Sequence, residues 1–442
     1  MAMSRRRFLG ISGGVVAGGA AAAVAGPLVW RDLVDHQVHH ATAKGGVAAG
    51  PGARRVLVVV NLGGGNDGLN TLVPANDGTY HTARPDLGVA DDKLVALTGT
   101  TAYGLNPVLE PLKRWWDAKQ LVAVDGVGIP GQSRSHFMAS DVWWTGQPTD
   151  PHGTGWLGRW LDADGDQQNP LRAISLGLST LALTGRSSMA TVVADPAQFA
   201  LMTPSGIDAA GLSRAFLATA HPLSSDAVVA TSQQAVPDAF DAVRTLTPVL
   251  TGPERIQFSA PDSANASPAT AASSNAPLPG RTDEEVTVTS LLEVAAGIID
   301  LQIGTRVIMV SVTGFDTHAD QATRHPALLT DLAQGLDGFL AAMQKQGRAD
   351  DVLVMTTSEF GRRVAENGSG TDHGEASVQF LAGPRVAGGQ VVGSADLTKL
   401  DEGDLPIGID TRSIYAAGLD WLGGPTDEIL GAHYDRHGLV QA

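Results

Sequence analysis

Asp316 and His318 stand two apart in Gly314-Phe315-Asp316-Thr317-His318. In an extended loop both side chains can face one cation, and carboxylate with neutral imidazole is a ligand pair for zinc, iron or manganese. Ser358-Glu359-Phe360-Gly361-Arg362 and Thr371-Asp372-His373-Gly374 add Glu359, Asp372 and His373 as further ligands. Arg362 is a candidate partner for a phosphate or sulfate oxygen, with a salt bridge to a nearby acid as the competing reading. In Gln132-Ser133-Arg134-Ser135-His136-Phe137, Ser135 falls at the start of a helical pattern. There, free N–H groups can hold an anion and a metal can lower the hydroxyl pKa, so Ser135 is the favoured nucleophile and a plain N-cap the alternative. Arg134 and His136 flank it, close enough to bind an anionic group or a metal, and His136 is also a candidate for a part in the catalysis. Gly63-Gly64-Gly65-Asn66-Asp67-Gly68 lets the backbone turn sharply, placing Asp67 to reach a metal and Asn66 to touch substrate. A dinucleotide loop is disfavoured because the spacing is not G-x-G-x-x-G, whereas a turn capped by Asp67 stays open.

These clusters gain meaning from the runs beside them, since ligands of an open parallel sheet bind beyond the carboxyl ends of its strands. Apolar, β-branched runs at 55–62, 120–127, 172–177, 306–312, 352–357 and 378–382 read as strands. Val56-Leu57-Val58-Val59-Val60 shows no polar alternation, the pattern of a strand buried on both faces. Helical patterns occupy 107–119, 136–145, 285–302, 326–346 and 411–422. The alternation predicts a single three-layer α/β/α domain over 54–442 with a mostly parallel sheet. Residues 259–281, rich in Ala, Ser, Pro and Asn, read as an inserted loop. Trp115, Trp116, Trp143 and Trp144 read as core rather than as a carbohydrate platform.

With 43% hydrophobic and 17% charged residues, the composition is that of a globular chain, and its 53 Gly and 24 Pro provide many turns. A formal charge of -16 repels polyanions, so nucleic acid is not an expected partner. Bound divalent ions can still invert the field locally. The chain has no cysteine, so a metal must be held by His, Asp or Glu. Ser4-Arg5-Arg6-Arg7-Phe8-Leu9, the mild apolar stretch 11–24 and Ala23-Val24-Ala25 have the form of a cleavable twin-arginine signal over residues 1–25. Its removal takes away three arginines and no acids, moving the charge from -16 to -19. The translocase is then a partner during export, the location is extracytoplasmic (periplasm, cell envelope or secreted), and no stable membrane span is expected after cleavage, the apolar run being shorter than ~20 residues. Residues 26–53 read as a flexible leader in which His36, His39 and His40 are incidental.

Taken together, Asn66-Asp67-Gly68-Leu69-Asn70, Arg134-Ser135-His136-Phe137, Phe315-Asp316-Thr317-His318, Ser358-Glu359-Phe360-Gly361-Arg362, Thr371-Asp372-His373-Gly374 and Asp410-Thr411-Arg412-Ser413 resemble the domain-of-unknown-function family 1501. That family looks like a divergent branch of the alkaline phosphatase and sulfatase superfamily. The resemblance implies an alkaline-phosphatase-like fold and a metal-dependent hydrolase of phosphate or sulfate esters, acting on an anionic small-molecule or glycan ester. By its order of parts, Asp67, Asp316, His318, Glu359 and His373 would hold one or two divalent ions (zinc, calcium or manganese), and Ser135 would attack. The pattern departs at Glu359-Phe360, where relatives carry a second Asp-His pair, and a ligand is lost there. A non-catalytic envelope protein that keeps the fold and binds a partner is the alternative.

Overall fold

The computed structural model describes residues 54–441 except 166–168, 178–180, 189, 197–198, 200–205, 221–224, 226, 259–285 and 395. The signal, the leader and the loop at 259–281 lie outside the described residues. The strands are β1 (Val56–Leu62), β2 (Leu72–Pro74), β3 (Val95–Ala96), β4 (Tyr103–Leu105), β5 (Leu121–Gly128), β6 (Ala173–Gly177), β7 (Thr191–Val193), β8 (Val307–Val312), β9 (Val352–Thr357), β10 (Ser377–Ala382), β11 (Val391–Val392) and β12 (Ile409–Asp410). Nine of them form one sheet in the order β11-β5-β10-β9-β1-β8-β6-β7, with β12 also on β5. β2, β4 and β3 make a small antiparallel sheet.

β1 is central and pairs in parallel with β8 and β9, Val58 standing beside Ile308 and Val354. All six predicted runs are strands of this sheet. β10 is the exception to its direction, antiparallel to both β5 and β9. That reversal brings the amino end of β10 to the same edge as the carboxyl ends of β1, β5, β8 and β9.

Successive side chains of a strand face opposite sides, so β1 divides its burial between two layers. Leu57 and Val59 join Met309, Leu353 and Met355 in a core with residues of the helices His136–Thr145, Trp156–Asp164, Thr411–Leu422 and Thr426–Leu430. In that layer Trp156 stacks flat on Tyr415 at 4.3 Å, which adds aromatic contact to the burial. Trp115, Trp116 and Trp143 are buried, and Trp144 packs on the same core, so the tryptophans serve packing. Val58 and Val60 point the other way and are fully buried as well. The helices Val288–Asp300 and Gln321–Lys345 pack on one another outside that core, and the first of them contacts β8. Both faces of the sheet are therefore covered, giving the three-layer α/β/α arrangement.

Local signals set most helix ends. Thr287 and Ser290 form a capping box at the start of Val288–Asp300, Asp410 accepts from the Arg412 N–H at 2.9 Å, and Gly146 and Gly423 close helices in the left-handed conformation. The helix expected from 326 starts at Gln321 instead. The Asp320 carbonyl accepts from the N–H groups of Thr323 and Arg324, so a turn forms ahead of Pro326. The chain falls into two units, one holding Gln198–Pro248 and the other Pro51–Ala197 with Val249–Ala442. In the smaller unit the helix Ala209–Thr219 is capped by the Asp208 carboxylate, and the Thr219 carbonyl accepts from the Gln233 side chain. Among the described residues no helix is long and apolar enough to cross a membrane.

Candidate metal centre

Five segments meet at the edge described above, and glycines let two of them touch. Gly64, at φ 123°, lies under Asp316, where a Cβ would come within 2.2 Å of the Asp316 nitrogen. Gly370 lies against the Thr317 carbonyl at 2.1 Å on the same measure. The loops 358–362 and 371–375 are zipped by backbone bonds from Gly361 to Glu375, Arg363 to Asp372 and Gly374 to Gly361. Arg362 is buried beneath them, donating to the carbonyls of Gly64, Gly65, Phe315 and Thr371 and, at 2.8 Å, to Asp316 Oδ1. One guanidinium thus ties together three of the segments.

Ligand atoms of His136, Asp316 and His373 lie within 4.8 Å of one another. His318 adjoins them, its Nε2 2.8 Å from His373 Nε2 and 3.2 Å from Asp316 Oδ1. The other nitrogen of each ring has an acceptor. His136 Nδ1 lies 2.9 Å from Glu359 Oε1, His318 Nδ1 3.1 Å from Asp372 Oδ1, and His373 Nδ1 2.8 Å from the Arg134 carbonyl. Carboxylates and carbonyls only accept, so each Nδ1 carries the proton and each Nε2 of a neutral ring presents a lone pair. His136 Nε2 is buried with no hydrogen-bond partner, and Asp316 Oδ2 stands 3.4 Å from it. Two bare nitrogens at 2.8 Å repel unless a cation lies between them, and ring nitrogens oriented by carboxylate or carbonyl acceptors are the usual support of metal-binding histidines. In tetrahedral zinc sites donors sit about 3.3 Å apart, so these side chains need only small adjustments to fit a divalent ion.

The electrostatics agree with that arrangement. Burial pushes the Asp316 carboxyl up, but the hydrogen bond from Arg362, together with the nearness of His373, outweighs it and holds the group down at about 2. The hydrogen bond to Glu359 raises the His136 pKa, against partial burial. Burial lowers that of His373, only partly offset by its bond to the Arg134 carbonyl and the nearness of Asp316.

Of the residues predicted from sequence, the structure gathers His136, Asp316, His318, Glu359, Asp372 and His373 in one place. The contacts of several differ from those expected. Glu359 and Asp372 orient imidazoles through Nδ1 rather than offering themselves first to a metal. His136, expected to act in catalysis beside Ser135 or to bind a metal, stands among the ligand atoms. Asp67, assigned as a ligand, is fully buried with Oδ2 bonded to Arg84 Nη1 at 2.6 Å and to Gln321 Nε2. Burial opposes ionisation of Asp67, but Arg84 outweighs it and lowers the pKa. Asn66, assigned to substrate, is buried and bonded to Thr71 and His325. The guanidinium of Arg134 pairs with Asp404 and lies 3.7 Å from Glu375, and that of Arg362 is enclosed, so neither is placed as a free oxyanion clamp. Ser135 is exposed at the N-cap of His136–Thr145 and its hydroxyl makes no cap bond. Sequence reasoning missed Arg84, Gln321 and His325. For Gln321 a signal existed, an Asp, a common N-cap type, at 320, six residues ahead of the Pro326 that appeared to open the helix.

Structures similar to this one include a protein in the alkaline phosphatase superfamily from Vibrio parahaemolyticus (8% identity, 84% of this chain and 67% of that one, TM-score 0.37). The PsFucS1 sulfatase from Pseudoalteromonas sp. is similar at 10% identity, over 86% of this chain and 70% of that one, with a TM-score of 0.37. The phosphonate monoester hydrolase SpPMH from Silicibacter pomeroyi matches at 15% identity, over 88% and 77%, with a TM-score of 0.35. No curated protein matches the chain. A family model does match, over residues 127–437, a span that contains the four segments from Ser135 to His373 that carry the cluster, and the chain accordingly belongs to the family described as protein of unknown function, DUF1501.

Proposed function

We propose that this chain is an exported, metal-dependent hydrolase of phosphate or sulfate esters. The observation that carries the reading is the meeting of three imidazole Nε2 lone pairs and the Asp316 carboxylate, one of the imidazoles being that of His136, next in sequence to Ser135, whose hydroxyl makes no cap bond. A donor set of three nitrogens and one carboxylate suits zinc or manganese better than calcium, which takes oxygen ligands. A divalent ion held there supplies positive charge for the oxygens of an ester and lowers the pKa of a hydroxyl near it. Ser135 Oγ is the nucleophile toward phosphorus or sulfur. The N–H groups of His136, Phe137 and Met138 open a helix and have no carbonyl within it to bond, so they are available to negative charge developing at Ser135. Glu359, Asp372 and the Arg134 carbonyl hold the imidazoles in the tautomer that leaves Nε2 free. The twin-arginine segment adds that the folded chain is a client of the translocase and works outside the cytoplasm.

Metal analysis of the mature protein recovered after native export, followed by a panel of aryl phosphate and sulfate esters, tests the reading. About one equivalent of metal and turnover that Ser135→Ala lowers by about two orders of magnitude or more are expected. Turnover untouched by Ser135→Ala removes the nucleophile. Stoichiometric metal without turnover leaves a binding protein, a reading favoured by one observation, the engagement of both Arg134 and Arg362 elsewhere.

A further inference from the structure

Below the candidate metal centre one buried amide spans the two loops that carry most of its ligands. Gln321, the first residue of the helix Gln321–Lys345, is 1% exposed. Its Oε1 accepts from Thr317 Oγ1 at 3.2 Å and from Thr371 Oγ1 at 2.7 Å. Thr317 lies between Asp316 and His318, and Thr371 directly precedes Asp372 and His373. At its other end Gln321 Nε2 donates to Asp67 Oδ2, the oxygen that also takes Arg84 Nη1. Backbone bonds run alongside, from Gln321 N–H to the Ser369 carbonyl at 3.0 Å and from Thr371 N–H to the Thr317 carbonyl at 3.3 Å.

The position demands an acceptor at one end and a donor at the other. A carboxylate would face Asp67 with no proton to offer, and an aliphatic side chain would strand buried hydroxyls without an acceptor. The far end is fixed, because Arg84 is itself buried and bonded to Asp67, Asn70 and the carbonyls of Val364 and Arg363. We infer that Gln321 is a positioning residue: anchored on the Asp67–Arg84 pair, it sets the distance between the Asp316–His318 loop and the Asp372–His373 loop, and with it the spacing of the nitrogens that receive the metal. The inference rests on the metal reading above, and it gives Asp67 the role of anchor in place of ligand.

The test titrates metal-stripped mature protein with Co2+, following the visible absorption band and, separately, the unfolding temperature of the metal-free form. Thr371→Val removes one of the two struts at nearly constant volume, and Gln321→Leu removes both. Thr305→Val is the control, since its buried hydroxyl bonds the Leu171 carbonyl at the opposite end of β8. Loss of about tenfold or more in Co2+ affinity with an altered band in Thr371→Val, and none in Thr305→Val at a comparable loss of unfolding temperature, is the expected result. Affinity in Thr371→Val within about twofold of wild type, or no weaker than in the control, overturns the inference and leaves the metal centre standing. Wild type that takes up no Co2+ overturns both. Because Thr371→Val changes so little volume, the test holds even if Gln321→Leu does not fold.

Discussion

Burial drives the His325 imidazole down to about 4, although the nearby Asp67 carboxylate pulls the other way. Its Nε2 hydrogen donates to Asn66 Oδ1 at 3.0 Å, and burial keeps the ring neutral in the folded chain. An unfolded histidine titrates near 6.5, so the unfolded state binds a proton that the folded state refuses. The stability this group contributes is therefore present above about 6.5 and is lost as pH falls toward about 4, on the order of 3 kcal/mol in all. Urea unfolding of wild type and His325→Phe at pH 7 and 4.5 measures it. The variant should show a shallower loss on acidification, from a lower starting stability because Asn66 Oδ1 loses its His325 donor at both pH values. Equal losses in both proteins would remove His325 from the account of acid stability. This residue also shows what a sequence hides. Asp316, His318 and His373 were readable because their types suit metals and each lies beside a strand end. His325 and Gln321 meet partners 259 and 254 positions away, so no local spacing marks them.

At the level of elements, Gly370 decides how closely the two ligand loops approach. Its Cα faces the Thr317 carbonyl and the backbone of His318, and a Cβ there would stand 2.1 Å from that carbonyl oxygen. Backbone on both sides cannot swing aside as a side-chain tip can. Gly370→Ala should therefore spread the loops, keeping the sheet and its circular dichroism while weakening metal uptake by about tenfold or more. Undiminished uptake would show the loops to be more yielding than their packing implies. Six strands were legible because runs such as Val56-Leu57-Val58-Val59-Val60 are apolar without alternation, the mark of burial on both faces. The same feature concealed the direction of β10, since continuous burial looks alike in parallel and antiparallel neighbours. The helix Gln321–Lys345 was placed five residues late because a proline commonly opens a helix, whereas here Pro326 is tolerated within the early turns.

Across the whole chain the formal charge is -16, against which the proposed metal centre would have to attract an anionic ester. The two fields act over different distances. The summed negative charge works at long range and is screened within about 10 Å at 0.1 M salt, while the centre is a contact-distance effect at the sheet edge. Around the cluster itself the neighbouring cations are already paired, Arg362 with Asp316 and Arg134 with Asp404, so they offset little of the approach penalty. Added salt should therefore speed encounter with an anionic substrate by screening the repulsion. For an aryl sulfate or phosphate turned over by the mature protein, kcat/KM is expected to rise severalfold between about 0.01 and 0.2 M of a non-coordinating salt, with kcat nearly constant. An uncharged carboxylate ester, if it is turned over at all, should show no such rise. A fall in kcat/KM for the anionic ester over that range would mean that its path to the centre is lined by positive potential, and would place attraction, not repulsion, at the mouth of the site.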